Sequence, residues 1–321
     1  MTRVLVTGCA GFIGSHLVER LLQGDNDVIG IDCFTDYYAE ERKLANLSCA
    51  LNQERFTLIR QDIVEMDRFP RVDHVFHMAA QPGVRASWGA NFAVYTKNNI
   101  EATQRLLEFY RSTELKSFIY SSSSSVYGDA ELPMKEDARP LPVSPYGVTK
   151  LAAENLCYLY WKNYSVPVVS LRYFTVYGPR QRPDMAIHRF VHAILNEGEI
   201  QLYGDGQQLR DFTFVNDVVD ALIVAAQSES KGEVFNIGGG HTISVNALIE
   251  SIEHLVGKKA RVQHVEQQKG DARDTLADTA KAKRLLSWSP QTDLESGLKT
   301  YIAWVLTGSS GQIEARSSNT R

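Results

Sequence analysis

The first apolar run of the chain, Arg3 to Thr7, passes directly into Gly8-Cys9-Ala10-Gly11-Phe12-Ile13-Gly14 and from there into a helical pattern. A strand, a glycine turn and a helix N-terminus in that order suit a parallel sheet whose backbone N–H groups meet an anion. The glycines permit a tight turn and close approach of the backbone to a pyrophosphate, and the helix dipole favours the negative charge. The spacing is GxxGxxG and not GxGxxG, so the turn gains its meaning from the residues downstream of it. The next strand pattern ends at Asp32, placed to accept hydrogen bonds from an adenosine ribose diol. A 2′-phosphate would face that carboxylate, and no Lys or Arg comes after it before Arg42, so NAD is expected in preference to NADP. The bland alternative is a structural glycine turn beside a surface aspartate.

Further strands are predicted at Asp27 to Asp32, Phe56 to Asp62, His74 to Met78, Ser117 to Ser121 and Val166 to Tyr173, with clear helices at Phe92 to Ser112 and Pro145 to Tyr164. Short Val- and Ile-rich runs alternating with helical stretches define an α/β protein: a Rossmann-type doubly wound parallel sheet with a smaller C-terminal α/β substrate domain. With 321 residues there is chain enough for two units. Residues 1–178 are assigned to the cofactor domain, rejoined by about 212–238, residues 179–307 to a discontinuous substrate domain, and 308–321 to a mobile tail. Ala221 to Ala226 is the longest apolar run, far short of the roughly 18 residues of a membrane span. The N-terminus lacks a signal-peptide pattern, so a cytoplasmic location and no membrane partner are expected. A net charge of -4 provides no basic field for nucleic acid. Cys9, Cys33, Cys49 and Cys157 show no CxxC pairing and are read as reduced packing residues, with no metal site.

Tyr146 and Lys150 form a YxxxK pair on one face of the second long helix, about 5–6 Å apart at Cβ. Bringing a tyrosine from a pKa near 10 to about 7 takes roughly 4 kcal/mol. A cation some 4 Å away at an effective dielectric near 20 supplies about that much, so one lysine is expected to suffice. The serine run Ser121 to Ser125 ends the fifth predicted strand, where a hydroxyl can bridge a substrate hydroxyl and Tyr146. No GxSxG elbow is present, which argues against a serine hydrolase. Asp62 ends the third strand and His77-Met78-Ala79-Ala80 comes at the end of the fourth, both consistent with walls of the same cleft. Arg85, Arg180, Arg182, Arg189, Arg210 and Arg273 are candidates to face it from the second domain, since guanidinium forks suit a diphosphate.

Taken together, Gly8 to Gly14, Asp32, Ser123-Ser124-Ser125-Val126-Tyr127-Gly128 and Tyr146-Gly147-Val148-Thr149-Lys150 resemble the extended short-chain dehydrogenase/reductase family, specifically its nucleotide-sugar epimerases. The likeness runs to about Pro290. It implies a bound NAD, a UDP- or dTDP-sugar in the C-terminal domain and a homodimer formed by pairing two long helices of each subunit. Cofactor contacts are then expected at Gly8, Gly11, Phe12, Ile13, Gly14, Asp32, Asp62, Ile63, Ala79, Ala80, Asn98, Ser121, Tyr146, Lys150 and Tyr173. Ser123, Tyr146 and Lys150 become the catalytic set. Substrate contacts are expected at Pro82, Gly83, Arg85, Ser123, Ser124, Ser125, Tyr146, Thr175, Arg182, Arg189, Arg210 and Arg273.

Within that family, Arg172 to Pro179, Arg182-Pro183-Asp184-Met185-Ala186 and Gln81-Pro82-Gly83-Val84-Arg85 resemble the group acting as UDP-glucuronate 4-epimerases. Hexose 4-epimerases and uronate decarboxylases typically carry Asn at the place of Thr175. Decarboxylases typically have Glu at Ser125, and 4,6-dehydratases an Asp-Glu pair at Ser124-Ser125. Ser123 departs from the group, which often has Thr there. The resemblance thus implies reversible C4 oxidation of UDP-glucuronate, with UDP-glucose 4-epimerase and UDP-glucuronate decarboxylase as rivals. A non-catalytic dinucleotide-binding sensor is the reading from another class, and the intact Ser123, Tyr146 and Lys150 argue against it.

Overall fold

The computed structural model describes residues 2–317, of which 309–317 are described as backbone only. The predicted strands and helices of the first half form in the expected order: β1 (Thr2–Thr7), α1 (Phe12–Gln23), β2 (Asn26–Ile31), α2 (Glu40–Asn46), β3 (Phe56–Ile59) and β4 (His74–His77). The long helix expected over Phe92 to Ser112 is interrupted, running as α3 (Phe92–Tyr95), a π-helical turn (Thr96–Glu101) and α4 (Ala102–Tyr110). Then come β5 (Ser117–Ser123), α5 (Pro145–Tyr164) and β6 (Val168–Tyr173). Pro145 opens α5 with its fixed φ, and the Ser144 hydroxyl caps it by accepting from the Gly147 N–H at 3.1 Å.

Beyond these lie β7 (Thr175–Tyr177), α6 (Ala186–Leu195), β8 (Glu199–Tyr203), β9 (Leu209–Phe214), α7 (Val215–Gln227) and β10 (Val234–Ile237). The chain continues through β11 (Thr242–Ser244), α8 (Val245–Val256), β12 (Arg261–Val265), α9 (Ala280–Leu286) and α10 (Leu294–Ser317). The tail expected from residue 308 thus begins inside α10, helical as far as Ser317, and 318–321 lie outside the described residues.

The main sheet has seven strands in the order β10-β6-β5-β4-β1-β2-β3, one more than the six expected for the N-terminal part. All its pairings are parallel. The added strand is β10, whose Val234–Ile237 pairs with Ser170–Tyr173, so the chain does return to the first sheet. Helices cover both faces, as a parallel sheet requires. Leu17 and Val18 of α1 and Val219 and Leu222 of α7 are buried on one side, and Leu106 and Leu107 of α4 with Ala153 and Cys157 of α5 on the other. Strand order reverses between β4 and β1, which opens a crevice at their carboxyl ends. The remaining strands form a three-stranded sheet, β11-β9-β7, and a parallel pair, β12-β8. No helix among the described residues is long and apolar enough to cross a membrane.

Candidate active site

The crevice at the β1/β4 switch point is a cleft of about 1180 Å³, counted to its solvent-open mouth, and every residue expected to contact a cofactor lines it. At its floor the turn after β1 has the shape a dinucleotide phosphate needs. Gly8 adopts φ +67°, and a Cβ placed on Gly14 would lie 2.2 Å from the Gly8 carbonyl oxygen. The N-terminus of α1 comes next, with Gly11 at its cap and no side chain bonded to its free N–H groups. These donors, together with Asp32, fit NAD as the sequence suggested. Asp32 is also structural: Oδ2 accepts from the Ala10 N–H at 3.0 Å and Oδ1 from the Phe34 N–H at 2.8 Å, which ties the end of β2 to the glycine turn. Asp62 caps a short turn by accepting from the Val64 N–H at 3.0 Å, and it pairs with Lys97 at 2.7 Å.

Several cleft residues were not singled out in the sequence. Tyr37, Tyr38 and Lys43 line it from the segment after β2. Lys43 is buried, donating to the Thr35 carbonyl at 2.6 Å and its hydroxyl at 3.2 Å. This cation directly follows Arg42, the first Lys or Arg after Asp32 in the chain. The aromatic pair Tyr37-Tyr38 shortly after an acid-terminated strand is the available signal. His77, in contrast, faces the core: its ring bonds Thr7 Oγ1 at 2.8 Å and Thr103 Oγ1 at 2.9 Å. Burial, with Lys150 nearby, pulls its pKa down to about 3, so it is neutral. The π-helical turn places Asn98 on the cleft and turns Asn99 inward, where it bonds the Gln81 backbone and Thr149 Oγ1.

Tyr146 and Lys150 both reach the cleft from the first turns of α5, and Ser123, the last residue of β5, is near enough to the Tyr146 phenol to favour its ionised form. The expectation that Lys150 alone would depress the phenol is not met. Burial raises the Tyr146 pKa above its ordinary value, opposed by the Ser123 hydroxyl and the positive charge of Arg182. The lysine amine is committed elsewhere. It donates to the Ser121 carbonyl and lies 4.5 Å from the centre of the Tyr120 ring. Burial lowers its pKa to about 8, against the raising influence of Cys157 and Glu154. Helical spacing brings the two Cβ atoms together, but it does not direct the end of a four-carbon side chain.

The Arg182 guanidinium also lines the cleft, forked onto Asp184 at 3.0 and 3.2 Å, and Tyr37 donates to the same carboxylate at 3.1 Å. Pro82 lines the cleft, and the Pro82 and Gly83 carbonyls both accept from the Tyr95 hydroxyl, at 2.8 and 2.7 Å. Ser124 and Ser125 form a short turn after β5, and Thr175 begins β7. Arg85 and Arg189 gather instead around Tyr203, their guanidinium carbons 4.1 and 5.8 Å from its ring centre. Arg85 pairs there with Asp271 at 2.6 Å. Arg210 joins through the Arg273 carbonyl, to which it donates at 2.5 Å. Arg273 enters that cluster by its backbone, since its own side chain is exposed beside Asp274 at 3.8 Å. Arg180 pairs with Glu19 at 2.6 Å, which ties the segment after β7 to α1. The four cysteines are free, Cys9 and Cys157 buried, Cys33 and Cys49 exposed.

A doubly wound sheet, a glycine turn under an open cleft and a Tyr–Lys pair on its wall, with Ser123 at the adjoining strand end, define a dinucleotide-dependent enzyme that works on hydroxyl-bearing substrates. Residues 4–238 match the model of the NAD dependent epimerase/dehydratase family, and the chain belongs to that family. It is similar to the uncharacterized UDP-glucose epimerase YtcB of Bacillus subtilis (strain 168), 44% identical over 308 residues covering 94% of this chain and 98% of the relative. A UDP-glucuronate 4-epimerase of Thermodesulfobacterium geofontis (strain OPF15) is 40% identical over 308 residues, covering 94% and 95% of the two chains. Among solved structures, the UDP-glucuronic acid 4-epimerase of Bacillus cereus, in complex with UDP-glucuronic acid and NAD, matches with a TM-score of 0.92 and 42% identity. That match covers 95% of this chain and 99% of the other.

Proposed function

We propose that this protein interconverts UDP-glucuronate and UDP-galacturonate by transient oxidation at C4. The observation that carries the reading is the pair of groups acting on Tyr146, the Ser123 hydroxyl and the charge of Arg182, with the serine turn Ser124-Ser125 packed by its backbone against the start of α5 at Gly147. No carboxylate stands at the serine turn to act as acid or base in eliminating water. The similarity to UDP-glucuronate 4-epimerases supports the same conclusion.

When bound, NAD supplies the acceptor and donor of hydride at C4 and, in its oxidised form, a positive charge. The residues that line the cleft from Gly8 to Gly14, with Asp32, Asn98 and Lys150, are those that would hold it. Tyr146 takes the O4 proton as phenolate, and Ser123 bridges the transfer. The 4-keto sugar turns its other face toward the cofactor, and Tyr146 returns the proton to O4 as the opposite epimer forms. That intermediate is a β-keto acid, which loses carbon dioxide when its carboxylate stands perpendicular to the carbonyl plane. Ser124, Ser125, Thr175 and Arg182 are assigned to hold the carboxylate out of that orientation, and Arg85, Arg189 and Arg210 to the diphosphate. The enzyme is cytoplasmic and acts as a homodimer. Exposed apolar side chains on α5 (Val148, Tyr158, Leu159) and α3 (Phe92, Val94) support the pairing of these helices between subunits.

UDP-glucose is the second substrate to weigh, on the strength of the Bacillus subtilis relative. Proton NMR of the enzyme with UDP-glucuronate, UDP-glucose and UDP-galactose in turn decides between them. UDP-galacturonate without a UDP-pentose is the expected product. Turnover of UDP-glucose alone would overturn the assignment, and a pentose product would make the enzyme a decarboxylase.

A further inference from the structure

The strand end that carries Ser123 is tied to the catalytic helix by a buried carboxylate. Along β5, side chains alternate. Ser121 contacts Met78 and Tyr173 in the cleft, while the Ser122 hydroxyl donates to Glu154 Oε2 at 2.7 Å. Glu154 lies one helical turn beyond Lys150 on α5, and the Lys150 amine is bonded to the Ser121 carbonyl. Two consecutive residues of the strand are therefore held by two residues of one helix face.

Arg172 completes the arrangement. It is the β6 partner of Ser122 in the parallel register, and it donates to both oxygens of Glu154, at 3.1 Å from Nε and 2.5 Å from Nη2. It also donates to the Glu136 carbonyl at 3.2 Å. Glu154 thus accepts three hydrogen bonds and joins α5, β5 and β6, at the strand residue just before Ser123 and one helical turn after Lys150. The side chains of the pair are only 6% and 4% exposed, and no other ion pair among the described residues has both partners so deeply buried. Stability alone is a poor reason for such a pair, because well-packed apolar residues commonly serve as well or better. Fixing register is the better-supported use of a buried polar contact.

We infer that Glu154 is a positioning residue of the reaction: through Ser122 and Arg172 it sets the end of β5, and hence Ser123, against the helix that carries Tyr146 and Lys150. The inference rests on the proposed C4 epimerisation for its reacting groups. A shift of about 1 Å in a relay of this kind can cost on the order of 100-fold in rate with no lost substrate contact.

The test is steady-state kinetics and thermal unfolding of the holoenzyme, with Ser122→Ala and Glu154→Gln. Ser122→Ala deletes one hydrogen bond and leaves the Glu154–Arg172 pair whole, so it avoids the folding risk of unpairing Arg172. Ser122→Ala is expected to lower kcat about tenfold, and Glu154→Gln up to about 100-fold, each with KM changed by less than about twofold. If Ser122→Ala lowers the melting temperature but keeps wild-type kcat, Glu154 is a structural residue only and the inference fails. A parallel rise in KM would also overturn it. Wild-type turnover of UDP-glucose in place of UDP-glucuronate would overturn the sugar assignment alone, and the kcat and KM split is then read on UDP-glucose.

Discussion

Tyr146→Phe is expected to reduce turnover of UDP-glucuronate on the order of 10³-fold or more, while UDP still binds nearly as well. Phenylalanine keeps the ring edge-on to Tyr95, where the centroids are 6.2 Å apart at 78°, so the wall of the cleft survives. What is lost is the oxygen whose ionisation Ser123 favours and that is proposed to exchange a proton with O4. The pH dependence has a definite sign. The active form of the base is the phenolate, and burial raises the phenol's pKa, so wild-type turnover climbs with pH as the group ionises. In Tyr146→Phe that limb disappears with the group. Initial-rate measurements across pH, paired with calorimetric titration of UDP, separate the two effects. Retained turnover would refute Tyr146 as the base.

A single methyl group in the glycine turn is expected to be nearly as damaging, by a different route. In Gly14→Ala the new Cβ would sit 2.2 Å from the Gly8 carbonyl oxygen and 3.1 Å from the Cys9 Cα, which are backbone atoms. They have little room to move, because the Gly8 N–H is bonded to the Ile31 carbonyl at 2.7 Å and the Gly11 N–H to the Gly8 carbonyl at 3.1 Å. The turn must open, carrying the first N–H groups of α1 away from the phosphate position. One or two charge-assisted hydrogen bonds of about 1.5–3 kcal/mol each amount to a loss in NAD affinity of about tenfold at the least and about 10⁴-fold at the most. Titration of NAD, with far-UV circular dichroism to verify the fold, checks this. Unchanged affinity would mean that the turn does not hold the pyrophosphate.

What could be read from the residues was whatever is local along the chain. The glycine turn, Asp32 and the YxxxK pair each lie within one strand–helix unit, and their neighbours are set by backbone geometry. Even the return of Val234–Ile237 to the first sheet was visible as a late apolar run, because the free edge of β6 needs a partner. The residues that escaped notice reach the cleft or its neighbouring cluster by tertiary packing. Tyr203 meets Arg85 only when β8 is laid beside the loop after β4, and Asp271 arrives from after β12. Lys43 folds back from α2 to bond Thr35. The π-helical turn in 96–101 has no periodic signature, since one extra residue shifts the apolar pattern without erasing it. Lys150 shows the same limit in a single side chain: its place on the helix was legible, its bond to Ser121 was not.

At the centre of this mechanism, C4 is oxidised and re-reduced within one active site, with no other atom of the sugar exchanged. UDP-glucuronate carrying deuterium at C4, with its conversion monitored by proton NMR in ordinary water, tests it most directly. UDP-galacturonate that retains deuterium at C4, with no release of carbon dioxide, is the expected result, because the hydride that leaves C4 returns to it on the opposite face. Loss of the label to solvent, or inversion at any other carbon, would contradict it.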